Sequence, residues 1–414
     1  MRLSIYLFVA TVLLCACSDG ERKTVICVPV YGQSLALGEE AEQTTDMDSL
    51  NDVYGGRIVS ENMDGRFGFY HSGSFTRAVK RFIGYGKRRH EVSVYALAER
   101  IADRTGNDTL LCVFADGQGA TPIDALLRGS AAYKRLMADI CHSHDLAERK
   151  GYGYIVPAVC WMQGESDMYD YTHADYKALL RAFARDVNDD IQGVTGQEDE
   201  VVVICYQTNL VSVCDSFRPY SYDCTECVVP QAQMELVRDN DLFVPGTPTY
   251  PLTFVRENKH IDAVSQRLVG HYNALALLDV LAGRQHDGVL PLTAVASGER
   301  EVRVTLSVPA PPLVIDTATV ATADGYGFTV VTTDGRNILD SVCIDGNDIV
   351  IACTDIVKDC RVRYAVNGTK GKSGRINGSR GNIRDSQGDG VTASIDGYDY
   401  PLHNWCWQFD MPVQ

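Results

Sequence analysis

The chain has 414 residues, a formal net charge of -16 at pH 7 and a pI near 5.0. This excess of carboxylates argues against nucleic acid as a partner, because binding to phosphates requires a basic surface. The length exceeds that of one average domain, so we expect two.

The N-terminus has the pattern of an export signal, predicted as residues 1–17. A basic start precedes an apolar run, Leu3–Leu14, which is too short for the usual transmembrane span of about 20 residues. The small residues before Cys17 resemble a bacterial lipobox, which implies lipidation of Cys17. The acidic stretch Ser18–Glu21 resembles the surface-export signal of Bacteroidetes lipoproteins. The alternative is an ordinary secreted protein cleaved after Ala16. We therefore expect a lipid-anchored outer-membrane protein that reaches the cell surface if the acidic stretch acts as that signal.

The cysteines give little indication of a metal site. Four of them lie in apolar, β-like runs and are predicted to be buried: Cys27, Cys112, Cys160 and Cys205. The only close spacing that would suit zinc or a disulfide is found further along the chain, at Cys214, Cys224 and Cys227. No second pair or nearby histidine completes a zinc site there, so a loop disulfide or unpaired thiols are favoured and no metal is predicted.

Residues 24–283 alternate short apolar runs with stretches of helical periodicity. The predicted strands are Val25–Val30, Leu110–Ala115, Tyr154–Trp161 and Val201–Tyr206. The predicted helices are Val92–Arg104, Ala131–Arg149, Ala174–Val187 and Asp262–Leu281. This alternation predicts an α/β fold with a parallel sheet between two layers of helices.

Ligands of such sheets bind beyond the carboxyl ends of the strands. The first three predicted strands run into Gly32–Ser34, Asp116–Gly119 and Gln163–Glu165. We expect these three loops to open onto one edge. An insertion over residues 45–89 is rich in glycine, arginine and aromatic residues, and either lines a substrate cleft or is a solvated loop.

The pattern changes after residue 283. Residues 290–414 have short strand-like runs separated by Gly, Asp, Asn and Pro, with no convincing helix, which predicts a β-sandwich domain. The glycine-rich stretch at 367–389 is either disordered or folds back on the first domain. Trp405 and Trp407 would suit stacking on a sugar, although this spacing in a strand more often packs in a core.

Two segments carry candidate chemistry. Ser34 follows the first strand in a glycine-containing turn, which would expose the hydroxyl of a nucleophile, although a serine there is more often a helix cap. The turn is not the G-x-S-x-G elbow of α/β-hydrolases. Trp161–Asp167 places an amide, a glycine and two carboxylates at another strand end. Glu165 and Asp167 would there be a glycosidase pair or ordinary loop groups.

The combination of these segments with a late histidine, His260, resembles the SGNH (GDSL-like) hydrolases over residues 24–283. Within that superfamily the chain resembles the branch of sialate O-acetylesterases and acetylxylan esterases. The resemblance implies a flavodoxin-like three-layer sandwich, and the C-terminal part is similar to the β-sandwich appended to some relatives.

The resemblance also implies roles for residues. Ser34 would attack an ester carbonyl, and His260 would be its base. The backbone N–H groups of Ser34 and Gly119, with the Gln163 side-chain amide, would form the oxyanion hole, Gly117 being a substitute for Gly119. Such a serine mechanism requires no metal or organic cofactor.

The chain departs from the family pattern at two positions. Leu35 replaces the usual asparagine after the nucleophile, and the family's Asp-x-x-His appears as Glu257 to His260. We expect Glu257 to orient His260, with a Ser-His dyad as the alternative. Two further carboxylates, those of Glu165 and Asp167, are expected to brace the oxyanion loop. The remaining candidates for the base, His271 and His286, are predicted to be structural or solvated.

The predicted function is that of a serine esterase removing O-acetyl groups from carbohydrate, either sialic acid or a xylan-like glycan. One alternative is a lipase, thioesterase or other acyl hydrolase, which would need an apolar acyl channel. The other is a non-catalytic glycan-binding lipoprotein.

Overall fold

The computed structural model describes residues 23–60, 76–77, 81–83, 88–168, 171–209, 227–239, 242–369 and 371–414. Several predictions lie outside these ranges: those on the export signal and Cys17, on Cys214 and Cys224, and on residues 61–75, 78–80 and 84–87 of the 45–89 insertion. Within the described ranges, no helix is both long and apolar enough to cross a bilayer.

The main sheet has eight strands. In chain order they are β1 Thr24–Gly32, β2 Ile58–Ser60, β3 Thr76–Arg77, β6 Thr109–Gly117, β7 Gly153–Ile155, β8 Ala158–Met162, β9 Val202–Gln207 and β10 Phe243–Pro248. Across the sheet the order is β10-β9-β8-β1-β6-β2-β3, with β7 also beside β1. All neighbours are parallel except β2 and β3. A separate hairpin is formed by β4 Arg81–Ile83 and β5 Arg88–His90.

Helices cover both faces of the sheet. They are α1 Met47–Val53, α2 Ser93–Ala102, α3 Ala131–Arg149, α4 His173–Thr195, α5 Val229–Asp239 and α6 Ala263–Leu281. Side chains of β1 alternate between two cores, because successive residues of a strand point to opposite faces. Val25 and Cys27 pack with α3, α4 and α5, whereas Ile26 and Val28 pack with α2 and α6. The predicted three-layer α/β fold is confirmed.

The four cysteines predicted to be core residues are fully buried. The starts of the longer helices also follow from the sequence, because Ser130, Thr172 and Asp262 accept hydrogen bonds from first-turn N–H groups and cap α3, α4 and α6.

The sequence did not predict α5 and β10. Strand β10 contains Pro245, Gly246 and Pro248, which disfavour a strand interior but are tolerated at a sheet edge, where β10 lies. The predicted strand Tyr154–Trp161 is divided into β7 and β8 around Pro157.

The rest of the chain forms antiparallel sheets. Its strands are β11 Leu290–Gly298, β12 Glu301–Ser307, β13 Val314–Ile315, β14 Phe328–Val331, β15 Leu339–Asp345, β16 Asp348–Cys353, β17 Arg361–Tyr364, β18 Ile383–Arg384, β19 Thr392–Ile395, β20 Tyr398–Pro401 and β21 Phe409–Pro412. The largest sheet is β11-β12-β16-β15, and a second is β14-β17-β21. The predicted change to antiparallel β structure is confirmed. We call residues 24–283 the α/β region and residues 290–414 the β region.

The two regions share one hydrophobic core. Trp405, Trp407 and Phe409 belong to the same buried cluster as Val25 and Phe243. Both tryptophans are therefore packed, as favoured above.

Polar contacts also join the regions. The Gln207 amide exchanges two hydrogen bonds with the Gln408 backbone, at 2.9 and 2.7 Å. The Tyr250 hydroxyl donates to the Cys406 carbonyl at 2.8 Å. The β region is thus joined to the α/β region by buried contacts of both kinds.

Candidate active site

The three predicted loops meet at one edge of the sheet. Gly32 lies opposite Gly117 on one neighbouring strand and opposite Met162 on the other. A Cβ atom on Gly32 would lie 2.1 Å from the Met162 carbonyl oxygen, and one on Gly117 would lie 1.8 Å from that of Gly32. Only glycine fits at these two positions, which explains the glycines at both strand ends.

Ser34 lies in a tight turn directly after β1. The Glu39 N–H donates to the Ser34 carbonyl at 3.0 Å, and the Leu37 N–H donates to that of Gln33 at 3.3 Å. Leu35, which stands where the resemblance expects asparagine, is buried, and its carbonyl accepts a hydrogen bond from Gln266 at 2.8 Å. The turn is thus held from α6 rather than by the residue 35 side chain.

His260 contacts the Ser34 hydroxyl. The distance from its Nε2 to Ser34 Oγ is 2.8 Å, and that from its Nδ1 to Glu40 Oε2 is also 2.8 Å. Because a carboxylate only accepts, Nδ1 carries the proton and Nε2 accepts from the serine. Burial lowers the pKa of His260, although Glu40 opposes this shift. The imidazole is therefore neutral at neutral pH, the form that a base requires.

The structure does not contain the predicted contact between Glu257 and His260. The Glu257 carboxylate instead accepts hydrogen bonds from Asn377 at 2.7 Å and Lys372 at 3.1 Å, both in the β region. The physical reason is local: Arg256 and Glu257 both have a backbone φ of 54°, so this segment is not the regular turn that brings residues three apart together. Glu40 takes the predicted place of Glu257.

Glu40 is set in a constrained turn. Its backbone φ is 63°, a left-handed conformation that costs energy for a residue with a side chain. Gly38, two residues earlier, has a φ of 69°. The Gly38 carbonyl lies 2.8 Å from His90 Nδ1. The sequence signal that would have indicated Glu40 is the acidic pair Glu39-Glu40, directly after a glycine in the loop that carries Ser34.

Gln163 is fully buried, and its amide is already paired. Its NH₂ group donates to Asp167 and, at 3.3 Å, to the Thr121 carbonyl, while its oxygen accepts from Tyr176 at 3.0 Å. The expectation that this amide points to an oxyanion is corrected, because both hydrogens are committed to protein oxygens.

Backbone N–H groups provide other donors. In the described part of the chain, those of Ser34 and Gly119 donate to no protein acceptor. The other glycine considered, Gly117, has its carbonyl held by Arg135 at 2.9 Å.

The two carboxylates after β8 accept hydrogen bonds from neighbouring loops. Glu165 accepts from Gln33 and Tyr206, each at 2.7 Å, and from Thr208. Burial raises the pKa of Glu165 to about 7. Gln33 directly precedes Ser34, so its hydrogen bond links Glu165 to the turn that carries the serine.

Asp167 accepts from the Ile123 N–H at 3.0 Å as well as from Gln163. It thereby links the loop after β6 to the loop after β8. These contacts are of the kind that loop bracing requires.

The two other histidines that were candidates for the base do not contact Ser34. His271 is buried within α6, and among the described residues neither of its ring nitrogens has a hydrogen-bond partner. Burial lowers the pKa of His271 to about 3. His286 Nδ1 lies 2.7 Å from the Asp279 carboxylate at the junction of the two regions.

One triad of possible metal ligands occurs in the described ranges: His144, Asp145 and Glu148, whose ligand atoms lie within 4.8 Å of one another. It is at the C-terminal end of α3, which leads into the amino end of β7, and so belongs to the opposite edge of the sheet from Ser34. Arg57, from the insertion, donates to the carbonyls of residues 102, 105 and 106 and is structural.

Part of the chain matches a known family. Residues 85–279 match the family described as carbohydrate esterase, sialic acid-specific acetylesterase. The match includes His260 and the segment after β8, and it begins after Ser34 and Glu40. No curated protein sequence matches this chain.

Comparison with solved structures gives several matches. XAC1771, a carbohydrate acetylesterase from Xanthomonas citri, has a TM-score of 0.55 at 14% identity, over 93% of this chain and 80% of that chain. An Arabidopsis thaliana protein has a TM-score of 0.41 at 18% identity, over 62% of this chain and 98% of its own. NanS has a TM-score of 0.40 at 12% identity, over 64% and 98%. The first likeness shows a shared fold that extends into the β region.

Proposed function

We propose that this carboxylic ester hydrolase, which matches the carbohydrate esterase family, removes O-acetyl groups from carbohydrate through an acyl-enzyme on Ser34. The observation that carries the proposal is the chain of contacts from Ser34 Oγ to His260 and on to Glu40, with 2.8 Å at each step. A serine, a neutral histidine and a carboxylate in this order form the arrangement that activates a serine hydroxyl.

In the first half-reaction, Ser34 Oγ attacks the acetyl carbonyl carbon as its proton passes to His260 Nε2. The resulting imidazolium keeps its Nδ1–H on the Glu40 carboxylate, which stabilises the positive charge. The tetrahedral intermediate then collapses, and His260 protonates the departing sugar oxygen. The products of this half-reaction are the deacetylated sugar and acetyl-Ser34.

In the second half-reaction, water attacks acetyl-Ser34 while His260 accepts its proton, and acetate leaves as Ser34 recovers the proton. The backbone N–H groups of Ser34 and Gly119 would donate to the oxyanion in both halves. Gln163, Glu165 and Asp167 support this site by fixing the loops that carry those N–H groups.

The family match supports acetylated carbohydrate as the substrate class, and its description favours sialic acid. A xylan-like glycan is the other candidate from the sequence.

The test is acetate release by protein lacking residues 1–17 from 4-nitrophenyl acetate, acetylated xylan and O-acetylated sialoglycan. We expect Ser34→Ala to reduce kcat/KM by about 10⁴-fold or more without changing the melting temperature, because no residual group replaces the nucleophile. Ser297→Ala, at an exposed serine of the β region, is the matched control and should leave release unchanged.

Activity that persists in folded Ser34→Ala would refute the acyl-enzyme. Hydrolysis of long-chain esters, with no release from either acetylated glycan, would favour a general acyl hydrolase. A folded protein inactive on every substrate would favour the glycan-binding alternative.

We further infer that Cys17 is lipidated and anchors the protein in the cell envelope, at the outer membrane. The lipobox-like residues and the acidic stretch after Cys17 support this inference. Labelling with a fatty-acid analogue in an expressing bacterium should mark the wild-type chain and not Cys17→Ala. Equal labelling of both, or of neither, would contradict the anchor.

A further inference from the structure

A cavity lies between the α/β region and the β region. Its volume is about 190 Å³, and none of its lining residues belongs to the contact chain of Ser34, His260 and Glu40. Leu252 and Asp262, which flank the segment carrying His260, line one wall. The cavity therefore adjoins the candidate active site through that segment without being part of it.

Three aromatic residues contribute to the lining: Tyr272 from α6, Tyr400 from β20 and Trp405. Trp405 and Tyr272 are buried, and Tyr400 is half-buried. The Tyr272 hydroxyl donates to the His403 carbonyl at 2.8 Å. Of this side chain, only the aromatic ring could therefore contact a ligand. Aromatic rings offer flat apolar surface, which suits the C–H face of a sugar.

The cavity also contains a cation without a fixed partner. In the described part of the chain, the Arg375 side chain makes no hydrogen bond or ion pair, although its backbone N–H donates to the Leu252 carbonyl at 3.2 Å. A guanidinium lining a cavity in this way is suited to bidentate binding of a carboxylate.

Besides Arg375, the lining contains the carboxylate of Asp262 and the imidazole of His403. The carboxylate of Asp262 accepts from the Ser265 N–H at 2.8 Å and caps α6, so it faces the positive end of that helix. His403 accepts from the Gly388 N–H at 3.0 Å through Nδ1, and burial lowers its pKa, so its ring is neutral. Asp262 is thus engaged by its own helix, and Arg375 is the lining residue that would bind a ligand carboxylate.

We propose that this cavity binds one carboxylate-bearing sugar unit of the acetylated glycan, with the carboxylate on Arg375 and the ring against Tyr400. The proposal rests on the proposed function and specifies its substrate as an acidic glycan. The volume is below the roughly 300–1,000 Å³ of sites for drug-sized ligands, which limits occupancy to a single ring.

Binding is tested with Ser34→Ala protein lacking residues 1–17, so that no turnover occurs. The probes are N-acetylneuraminic acid, glucuronic acid and xylose. Binding of each is detected by saturation-transfer NMR, and its Kd is measured by titration. We expect at least one acidic sugar to bind and xylose to bind more weakly. Arg375→Gln should weaken the acidic sugar about tenfold or more, because a charge-assisted pair is lost.

Matched variants separate the pocket from its surroundings. Arg336→Gln changes an exposed arginine of the β region and should leave binding unchanged. Tyr400→Ala should weaken binding of the acidic sugar, whereas Tyr398→Ala, at an exposed tyrosine of β20, should not. Arg375 makes no side-chain hydrogen bond or ion pair in the described ranges, so Arg375→Gln should fold even if Tyr400→Ala does not.

The proposal is overturned if neither acidic sugar binds, if Arg375→Gln binds it as tightly as the parent does, or if xylose binds equally well. Hydrolysis of 4-nitrophenyl acetate by protein with Ser34 intact is measured in parallel. Binding without hydrolysis would contradict the esterase and leave the pocket standing, whereas hydrolysis without binding would contradict only the pocket.

Discussion

The α/β region and the β region contribute to the candidate site in different ways. Ser34, Glu40 and His260, which would react, all belong to the α/β region and lie at the carboxyl edge of its sheet. The β region supplies none of them, but its Ser373 N–H donates to the Glu257 carbonyl at 2.9 Å. It thus holds the backbone three residues before His260.

The residues proposed to react and the residues that hold the segment before His260 in place thus belong to different regions. Glu257 carries a carboxylate close to His260 in sequence, yet Lys372 and Asn377 of the β region bind it. Glu40 lies far from His260 in sequence and contacts it directly. In the proposed mechanism, Glu257 is therefore a structural anchor and the carboxylate that orients the base comes from the loop that carries Ser34.

The largest expected effect is that of removing the β region. A chain ending at residue 285 should fail to fold cooperatively, because Trp405, Trp407 and Phe409 would be lost from the shared core. Each such aromatic typically contributes about 3–5 kcal/mol, and the net stability of a domain is only about 5–15 kcal/mol. Circular dichroism during heating checks this prediction.

The control for the truncation is full-length protein cleaved by a protease between the two regions, since it retains all the core residues. Cooperative melting of the truncated protein with near wild-type activity would show that the β region is a separable accessory.

A smaller effect is expected in the pH dependence of catalysis. Burial lowers the pKa of His260 from its ordinary value of 6.5, so the base stays neutral to lower pH than a free imidazole would. The acid limb of kcat/KM, which reports the free enzyme, should therefore lie below pH 6.5. A limb above pH 7 would show that His260 is not the titrating base.

The smallest effect concerns stability, through Glu165. Burial raises the pKa of Glu165 from 4.5 to about 7, so the stability gained from its protonated form is complete below pH 4.5 and is lost as pH rises through 7. Relative to Glu165→Gln, the wild-type free energy of unfolding should fall by at most about 3 kcal/mol over this range.

Urea denaturation at several pH values measures this difference. Glu198→Gln, at an exposed glutamate, is the control and should follow the wild type. Parallel curves for wild type and Glu165→Gln would mean that folding does not raise the pKa of Glu165.

The sequence predicted most of the α/β region, because its strands and helices carry strong apolar periodicity and its helix starts carry capping residues. It also predicted that Ser34 and the Gln163–Glu165 loop meet at one edge, since parallel strands fix that geometry. Local patterns of this kind are independent of distant contacts.

The rest depended on tertiary structure. Glu40 lies in a left-handed turn, which no periodicity indicates, and 220 residues separate it from His260. Glu257 was misassigned because the spacing assumes a regular turn, which the φ angles of 54° at Arg256 and Glu257 exclude. The pairing of Gln163 with Asp167 likewise depends on packing between loops.

The most direct test of the account compares Glu40→Gln with Glu257→Gln on one acetyl ester, measuring kcat/KM against pH. We predict that Glu40→Gln lowers kcat/KM by about 10²–10⁴-fold and moves the acid limb to lower pH, because the imidazolium loses its carboxylate. Glu257→Gln should stay within about tenfold of the wild type, with its limb unmoved. A larger loss in Glu257→Gln, with Glu40→Gln close to wild type, would contradict the assignment of Glu40 and restore Glu257 as the acid.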